Sequence, residues 1–488
     1  MKRLTIIFIA GILSLTAFSQ NATDALRYSR ILYGGTARFQ GMAGAMSAVG
    51  GDFSVIATNP AGLGLFKSME MTISPEFWVG NTNSTFNGTT GTDNKVNCNL
   101  GNFGVVFSMQ PAKVKTGGFQ NFNFAIGVNR QNDFNTRYFI KGQNNSSSLL
   151  SMYSGFLNGI SGITPSEIND NYPFDAALAY NSGLIYYDST AHRYTNDAAN
   201  GGVLQEKAVT TSGSINEFDM AFSANYDDIL YFGATIGIPS VSYYETSTYR
   251  ETRTDESIPY FRSMKYNQTL ETHGTGLNLK VGVLYRPAGW IRIGAAIHTP
   301  TYFGNMHDRW NSDMTAHFDS SSWDNTQYSP DGDYDYEMTT PFRAIGSLAF
   351  IIGKYGLISG EYEYVNYKSA RFHDDNDDGY FHDVNQEIRD SYVSPLNVRV
   401  GTEWRIGNFR VRGGFGYYGS PYKNGGSLGE QTVISGGAGY RGQHFYIDAA
   451  YVWSGLKDNY YLYNYTGMNP ATLNSYTHSA VVTLGIRF

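Results

Sequence analysis

The sequence predicts an all-β fold, a membrane-spanning antiparallel β-barrel of about 14 strands with an N-terminal hatch and short helices in its largest outer loop. Apolar and polar residues alternate along many segments, and the connections between those segments are alternately long and short. Aromatic residues make up 15% of the chain, whereas charged residues make up only 16%. A barrel in a bilayer needs an apolar outer face, a polar lumen, aromatic girdles, short periplasmic turns and longer outer loops.

The alternation is clear in the segments that we assign as strands. Apolar residues occupy every second position from Leu277 to Tyr285, with Asn278 and Lys280 between them. The last segment, His478–Phe488, alternates in the same way and ends on an aromatic residue. A water-soluble sandwich also alternates, but the terminal Phe488 resembles the signal that barrel-assembly machinery reads. We therefore expect that machinery to be a partner.

The predicted strands are even in number, as expected for a bacterial barrel. They lie near Met69–Gly80, Cys98–Gln110, Phe119–Arg130, Ile215–Tyr226, Ile229–Tyr249, Gln268–Arg286, Trp290–His317, Phe342–Ile352, Gly356–Phe372, Pro395–Ile406, Asn408–Tyr418, Gln431–Arg441, Gln443–Trp453 and Thr477–Phe488.

The start of the chain predicts export. A short basic start is followed by an apolar run, Leu4–Phe18, which indicates a signal peptide cleaved before Gln20. The alternative, an anchoring helix, needs about 20 apolar residues. We therefore divide the chain into a signal peptide (1–19), a hatch or plug inside the barrel (20–68) and a transmembrane barrel (69–488), of which 131–214 is a large extracellular loop with helices. The expected location is the outer membrane of a Gram-negative bacterium.

One region carries a family resemblance. The run Thr36–Phe66 resembles the N-terminal hatch of the FadL/TodX family of outer-membrane transporters for hydrophobic compounds, and Asn59-Pro60-Ala61 matches that family's Asn-Pro-Ala signature. The stretch Pro395–Pro421 resembles a later hairpin of the family, and Thr340-Pro341 is also similar. The resemblance implies a 14-stranded barrel that is plugged by its own N-terminus. It also implies transport of fatty-acid-like or aromatic compounds.

The residues Asn59, Pro60 and Ala61 have two interpretations. Proline fixes its own φ and holds the preceding residue extended, and Asn bonds readily to nearby backbone groups. The motif is then a structural turn. In the other interpretation it positions or gates the hatch.

The largest loop contains the residues that we expect to capture the substrate. Its apolar residues recur at helical spacing, and a second helix is predicted after the capping box Thr164–Glu167, with Pro at its first position. In the family, loop helices form an apolar groove that collects ligand first. The alternative is that these faces pack on each other and on the barrel rim. The candidate capture residues are Leu149, Leu150, Tyr153, Phe156, Leu157 and Ile160.

A candidate metal site lies in another outer loop. Asp374, Asn376 and Asp378 precede Gly379, which matches the first half of a Ca²⁺ loop. However, Asn385 stands where the bidentate Glu belongs, and a solvated acidic loop is the alternative. We otherwise expect no cofactor. The nine histidines show no metalloprotease spacing and no GxSxG motif occurs, so the sequence indicates no enzyme.

The predicted function is passive uptake of hydrophobic small molecules. Its partners are then the ligand and outer-membrane lipids, and we expect a monomer. The net charge of −7 argues against nucleic-acid binding. The alternatives are a non-transporting structural or secretion-accessory barrel, since fold does not fix function, and a receptor for haem or another amphipathic ligand. A polar porin is disfavoured because the hatch blocks bulk water.

Overall fold

A computed structural model describes residues 20–111, 117–374 and 379–488 of the chain. The predicted signal peptide, 1–19, lies outside the described residues. The described strands are β1 (Glu70–Phe86), β2 (Thr89–Met109), β3 (Phe119–Asp133), β4 (Thr136–Asn144), β5 (Tyr186–Asp188), β6 (Arg193–Thr195), β7 (Val203–Tyr226), β8 (Leu230–Arg253), β9 (Phe261–Ala288), β10 (Ile291–His298), β11 (Tyr302–Phe318), β12 (Asn325–Tyr328), β13 (Gly332–Thr339), β14 (Arg343–Ile352), β15 (Gly356–Val365), β16 (Arg371–His373), β17 (Asn397–Ile406), β18 (Phe409–Tyr418), β19 (Gln431–Arg441), β20 (Phe445–Tyr460) and β21 (Ala471–Arg487).

These strands form a closed antiparallel barrel of 14 wall strands, which confirms the predicted fold class. Four wall strands are interrupted: β3 with β4, β10 with β11, and β15 with β16 consist of two pieces each, and the fourth consists of β12, β13 and β14. Among the described strands, β5 and β6 pair only with each other, outside the barrel wall. The barrel closes where β1 pairs with β21, from Glu70 opposite Arg487 to Thr85 opposite Thr472.

The two faces of the wall have the expected polarity. On β9, Leu277 and Val281 are 57% and 43% exposed, whereas the intervening Asn278 and Lys280 are buried. Apolar side chains therefore face outward and polar side chains face the lumen, as a bilayer requires. From Thr275 toward the start of β9 the outward residues are polar, so this end of the strand extends past the apolar band.

The wall strands extend further than the sequence analysis placed them. The first hairpin was expected to leave the sheet at Gly80, but β1 and β2 pair as far as Phe86 and Thr89. Asn87 and Gly88 form the turn with φ of 45° and 82°, the left-handed pair typical of a tight hairpin. No lipid covers this part of the hairpin, so the apolar alternation that marks a membrane strand is lacking there.

In the described residues, the outer loops contain four α-helices, and one of them follows the capping box as predicted. They are α3 (Leu149–Gly159), α4 (Pro165–Asn171), α5 (Ala176–Asn181) and α6 (His382–Ser391). In α4, the Thr164 hydroxyl accepts from the backbone N–H of Glu167, and the Glu167 carboxylate accepts from the N–H of Thr164. None of the helices in the described part of the chain is long and apolar enough to cross a membrane.

The N-terminal segment, residues 20–66, lies in the lumen. It contains α1 (Ala22–Ser29), α2 (Ala37–Gln40) and two 3-10 helices, Phe53–Ala57 and Pro60–Leu65. It also borders an interruption in the wall, because β2 pairs with β3 only between Asn102 and Met109. Beyond that point the edge of β3 bonds to the segment, since Leu32 N–H and Gly34 N–H donate to the carbonyls of Gln131 and Arg130 at 2.8 and 2.9 Å.

Candidate functional site

Side chains of the wall hold the backbone of the N-terminal segment. Asn123 Nδ2 donates to the carbonyl of Leu63 at 2.6 Å, and His298 Nε2 lies 2.8 Å from the carbonyl of Thr58. The segment has little regular structure, so its backbone groups need partners elsewhere. Inward polar residues of the barrel supply those partners, which explains why so many of them are amides and hydroxyls.

Hydrogen bonds on both sides hold the Asn59-Pro60-Ala61 turn of the segment. Asn59 Nδ2 donates to the carbonyls of Ser47 and Val283 at 3.0 and 3.2 Å, and its Oδ1 accepts from Ala61 N–H at 3.2 Å. Asn59 is fully buried. It therefore caps a 3-10 helix, joins two parts of the segment and ties both to β9.

Glycines in the wall make this close approach possible. A Cβ on Gly282 would lie 2.0 Å from Asn59 Oδ1, and one on Gly233 would lie 2.3 Å from the carbonyl carbon of Pro60. A Cβ on Gly104 would lie 2.2 Å from the ring of Phe53. A Cβ at such distances forces the neighbouring atoms to move, so these positions strongly favour glycine.

Buried ion pairs join the segment to the short-turn half of the barrel. Arg38 Nε and Arg412 Nε both lie 2.8 Å from Glu403 Oε2, and Arg412 Nη1 lies 2.7 Å from Asp448. On the opposite wall, Lys280 pairs with Glu217 and with Asp219. Buried charges are tolerated when they are paired and hydrogen-bonded in this way.

Two apolar clusters fill the lumen on the long-loop side of these charges. The first, which we call the lumen cluster, surrounds α1. It consists of Ala22, Ala25, Leu26, Tyr28, Phe134, Ile215, Val241, Tyr243, Leu270, Phe303, Met306, Tyr336, Met338, Val365, Tyr367, Ala370, Phe372, Phe381, Ile388 and Tyr392. Helix α6 belongs to it, and the Tyr392 hydroxyl donates to the carbonyl of Ala22 at 2.8 Å.

The second cluster, which we call the cap cluster, lies under the loop helices. It consists of Phe86, Ile140, Leu149, Leu150, Tyr153, Leu157, Ile168, Ala176, Ala177, Leu178, Ala179, Leu184, Ile185, Tyr194, Ala198, Val203, Tyr249, Ile258, Phe261, Met264, Tyr266, Met314, Ala316, Leu462, Tyr463, Met468 and Ala471. Its members come from the helices and from inward positions of the wall strands, so the helices close the mouth of the barrel.

The predicted capture residues belong to this cap. Leu149, Leu150, Tyr153 and Leu157 are buried in the cluster, whereas Phe156 and Ile160 are half-buried. The apolar surface of α3 therefore faces into the barrel mouth in this conformation.

A buried carboxylate fixes α3 to the wall. Glu251 of β8 is fully buried and accepts from Leu149 N–H at 2.8 Å and from Tyr249 at 2.6 Å. The Ser148 hydroxyl donates to the same carboxylate. A negative charge at the first turn of a helix is favourable because the N–H groups there are free. Sequence reasoning missed Glu251, since the strand was expected to end at Tyr249.

Each apolar cluster also contains a cation. Lys207 of β7 is buried, and its Nζ lies 5.5 Å from the ring centroid of Tyr460 at the cap cluster. Among the described residues it has no hydrogen bond or ion pair. Arg27 of α1 lies 4.2 Å from the ring centroid of Tyr243 in the lumen cluster and pairs with Asp24. Lys207 was also missed, because the sequence analysis placed it inside a loop.

Of the candidate calcium residues, the structure describes only Asp374. The Tyr334 hydroxyl donates to Asp374, while Asn376 and Asp378 lie outside the described residues. Within the described ranges, no group of three or more His, Cys, Asp or Glu side chains is arranged to hold a metal ion.

Comparison with known proteins shows which solved structures have a similar fold. No family model matches the sequence, and no curated protein matches it. Among solved structures, a FadL homologue from Pseudomonas aeruginosa is 11% identical, with a TM-score of 0.55 over 94% of this chain and 99% of that one. The toluene transporter TodX from P. putida is 13% identical, with a TM-score of 0.54 and the same coverage. The chain therefore shares the fold of the FadL and TodX barrels, as the resemblance of its N-terminal run implied.

Proposed function

We propose that this protein takes up hydrophobic small molecules passively across the outer membrane of a Gram-negative bacterium, through a barrel plugged by residues 20–68. The observation that carries the proposal is the pair of apolar clusters in the lumen. A non-transporting barrel has no need for a lumen lined with buried aliphatic and aromatic side chains, and a polar porin needs a water-filled one.

The loop helices would provide the first contact. Phe156 and Ile160 are half-buried at the edge of α3, so an apolar ligand reaches them before the buried residues of the cap. Movement of α3 would then expose Leu150 and Leu157 to the ligand. Burying an apolar side chain or an equivalent ligand group contributes roughly 1.5–3 kcal/mol. Ligand groups that replace the α3 side chains in the cluster would therefore compensate for the contacts that the helix loses.

Lys207 favours ligands that carry a carboxylate. Its side chain is buried, with Nζ 5.5 Å from the ring centroid of Tyr460, and it has no carboxylate partner among the described residues, so an incoming carboxylate would compensate its charge. We therefore propose fatty-acid-like compounds as the cargo, ahead of uncharged aromatic compounds such as the toluene named for the P. putida barrel. The N-terminal segment would shift to let the cargo pass, with Asn59, Pro60 and Ala61 setting its resting position.

Uptake by cells and binding to purified protein test the proposal together. We expect cells with the wild-type protein to take up labelled long-chain fatty acid faster than cells without it. Lys207→Met should lower the affinity for the fatty acid at least tenfold while leaving an alkane of equal length unaffected. Lys141→Met is the matched control, because Lys141 faces outward on β4 and pairs with Glu206.

The outcomes separate the alternatives. If neither fatty acid nor alkane binds and uptake equals that of cells without the protein, the structural or secretion-accessory barrel is the better interpretation. If haem binds and fatty acid does not, a receptor for haem or another amphipathic ligand is the better interpretation. If both fatty acid and alkane bind but Lys207→Met changes neither, transport of hydrophobic compounds stands and the carboxylate preference is wrong.

A further inference from the structure

Two histidines lie side by side on the outer surface of the barrel wall. His273 of β9 is directly opposite His307 of β11 in the antiparallel register. Their inward neighbours Thr272 and Met306 are fully buried, whereas the two histidine side chains are 45% and 37% exposed. Side chains directly opposite each other on antiparallel strands have Cβ atoms about 4.5–5.5 Å apart. Imidazole nitrogen binds Zn²⁺ at about 2.0–2.1 Å, so one ion can be shared by two such rings.

A carboxylate orients each ring. Glu271 Oε1 lies 2.6 Å from His273 Nε2, and the Tyr244 hydroxyl lies 3.1 Å from the same nitrogen. Asp335 Oδ1 lies 2.6 Å from His307 Nδ1. The other nitrogens, His273 Nδ1 and His307 Nε2, have no hydrogen-bond partner among the described residues. Histidines that bind metals usually donate one ring N–H to a carboxylate and use the other nitrogen for the metal.

The pair is also accessible to ions from outside the cell. On the outward face of β9, His273 is separated by Thr275 from Leu277, where the apolar band begins. The histidines therefore lie on the long-loop side of the band, beyond the part of the wall that contacts lipid. Neither belongs to the lumen or to the proposed path of the cargo.

We propose that His273 and His307 form a site for a divalent transition-metal ion, of the class of Zn²⁺, Ni²⁺ or Cu²⁺. Imidazole suits these ions, whereas Mg²⁺ and Ca²⁺ prefer carboxylate, carbonyl and water oxygens. The two imidazoles are the protein ligands, and water completes the coordination. Glu271 and Asp335 are positioning residues that hold the rings with their free nitrogens available. This site is independent of the transport function proposed above.

Calorimetry on the full chain tests the site. The protein is purified without a polyhistidine tag, stripped with chelator in detergent and titrated with Zn²⁺. We expect one Zn²⁺ per chain. His273→Ala and His307→Ala should each weaken binding at least tenfold, and the double variant, which lacks both ligands, should show no stoichiometric binding. His478→Ala is the matched control, because His478 is a wall-strand histidine whose ring bonds to Tyr451.

A second readout separates metal binding from a general effect on folding. Cu²⁺ bound to the wild type should show hyperfine coupling to two nitrogens in electron paramagnetic resonance, and to one nitrogen in each single variant. Glu271→Gln and Asp335→Asn should keep two nitrogens but weaken binding about 10–100-fold. Absence of stoichiometric binding by the wild type overturns the proposal. So does full affinity in either histidine variant, or an equal loss in His478→Ala.

Discussion

Arg38 of the N-terminal segment and Glu403 of β17 form a buried ion pair, with 2.8 Å between Nε and Oε2 and side chains that are 12% and 3% exposed. Arg38→Met removes a charged hydrogen bond worth ~1.5–3 kcal/mol. We expect a looser segment and a higher ion conductance in planar bilayers. Arg410→Met is the control, because within the described part of the chain Arg410 bonds only to the nearby carbonyls of Gly407 and Phe409. Equal conductance of the Arg38 variant and the wild type would show that this pair does not hold the segment.

Gly282 offers a test of the segment that leaves the segment's own sequence intact. Gly282→Ala places a methyl group against Asn59 Oδ1, and overpacking of this kind costs about 1–3 kcal/mol. We expect faster proteolysis within residues 20–66 and a lower unfolding temperature. Gly346→Ala is the matched control, since an added Cβ there meets no atom within 4 Å. If the two variants behave alike, the close fit at Asn59 is unimportant for stability.

The cap should respond to pH through one carboxyl group. Asp175 precedes α5, and burial raises its pKa from 3.8 to about 7. Because the folded loop holds the proton more tightly than the unfolded loop, the loop should lose stability as pH rises from about 4 to 7, by about 1.4 kcal/mol for each pH step of one. Above pH 7 the loss should level off.

Hydrogen exchange of residues 149–185 measures this opening. We expect exchange to accelerate between pH 4 and 7, after correction for the intrinsic rate, and the acceleration to disappear in Asp175→Asn. Asp170→Asn changes an exposed carboxyl group of the neighbouring helix α4 and should keep the wild-type profile. A wild-type profile in the Asp175 variant would assign the pH dependence to another group.

The position of β9 in the bilayer can be tested by placing arginine at two outward sites of the strand, one inside the apolar band and one outside it. Val281→Arg puts a charge on the lipid side of the apolar band and should cost about 2–4 kcal/mol, whereas Thr269→Arg, outward on the same strand but beyond the band, should cost about 0–1. Refolding into vesicles measures both. Equal costs would mean that the band is misplaced on this strand.

The C-terminal residue should matter for assembly. The backbone N–H of Phe488 donates to the carbonyl of Met69 at 3.0 Å, beside the closing pair of β1 and β21. Its side chain is 73% exposed, so it is accessible to the assembly machinery that we expect as a partner. We expect deletion of Phe488 to reduce the heat-modifiable, folded form in outer-membrane fractions. Phe409→Ala, an exposed aromatic at the same end of the barrel, should reduce it much less.

The sequence predicted those parts of the fold that lipid imposes. Leu277, Leu279 and Val281 alternate with polar residues because one face of β9 meets the bilayer, so this part of the strand was correctly placed, whereas its start at Phe261 was not. The upper hairpin at Asn87-Gly88 was missed because its outward face meets water and needs no apolar residues, although Phe86 on the inward face is buried in the cap cluster. Outside the band, only the turn dipeptide itself signalled the strand pairing.

The candidate site was less predictable, because its contacts join distant parts of the chain. The helical spacing of Leu149 to Ile160 correctly indicated a helix, but the sequence carries no record that Glu251 binds the start of that helix. The position of Lys207 at the cap cluster likewise depends on Tyr460, which is far away along the chain. Such pairings depend on the register of the closed wall, and local patterns do not specify it.

The glycines at positions 104, 233 and 282 shape the barrel wall to fit the segment that it encloses. Removing that segment would leave the wall destabilised, because glycine in a strand interior costs roughly 0.5–1 kcal/mol relative to alanine. Only the enclosed segment compensates for that cost. Deleting residues 20–68 to obtain a wide pore would therefore also give a less stable wall. Replacing the three glycines with alanine or valine would be the first step of such a redesign.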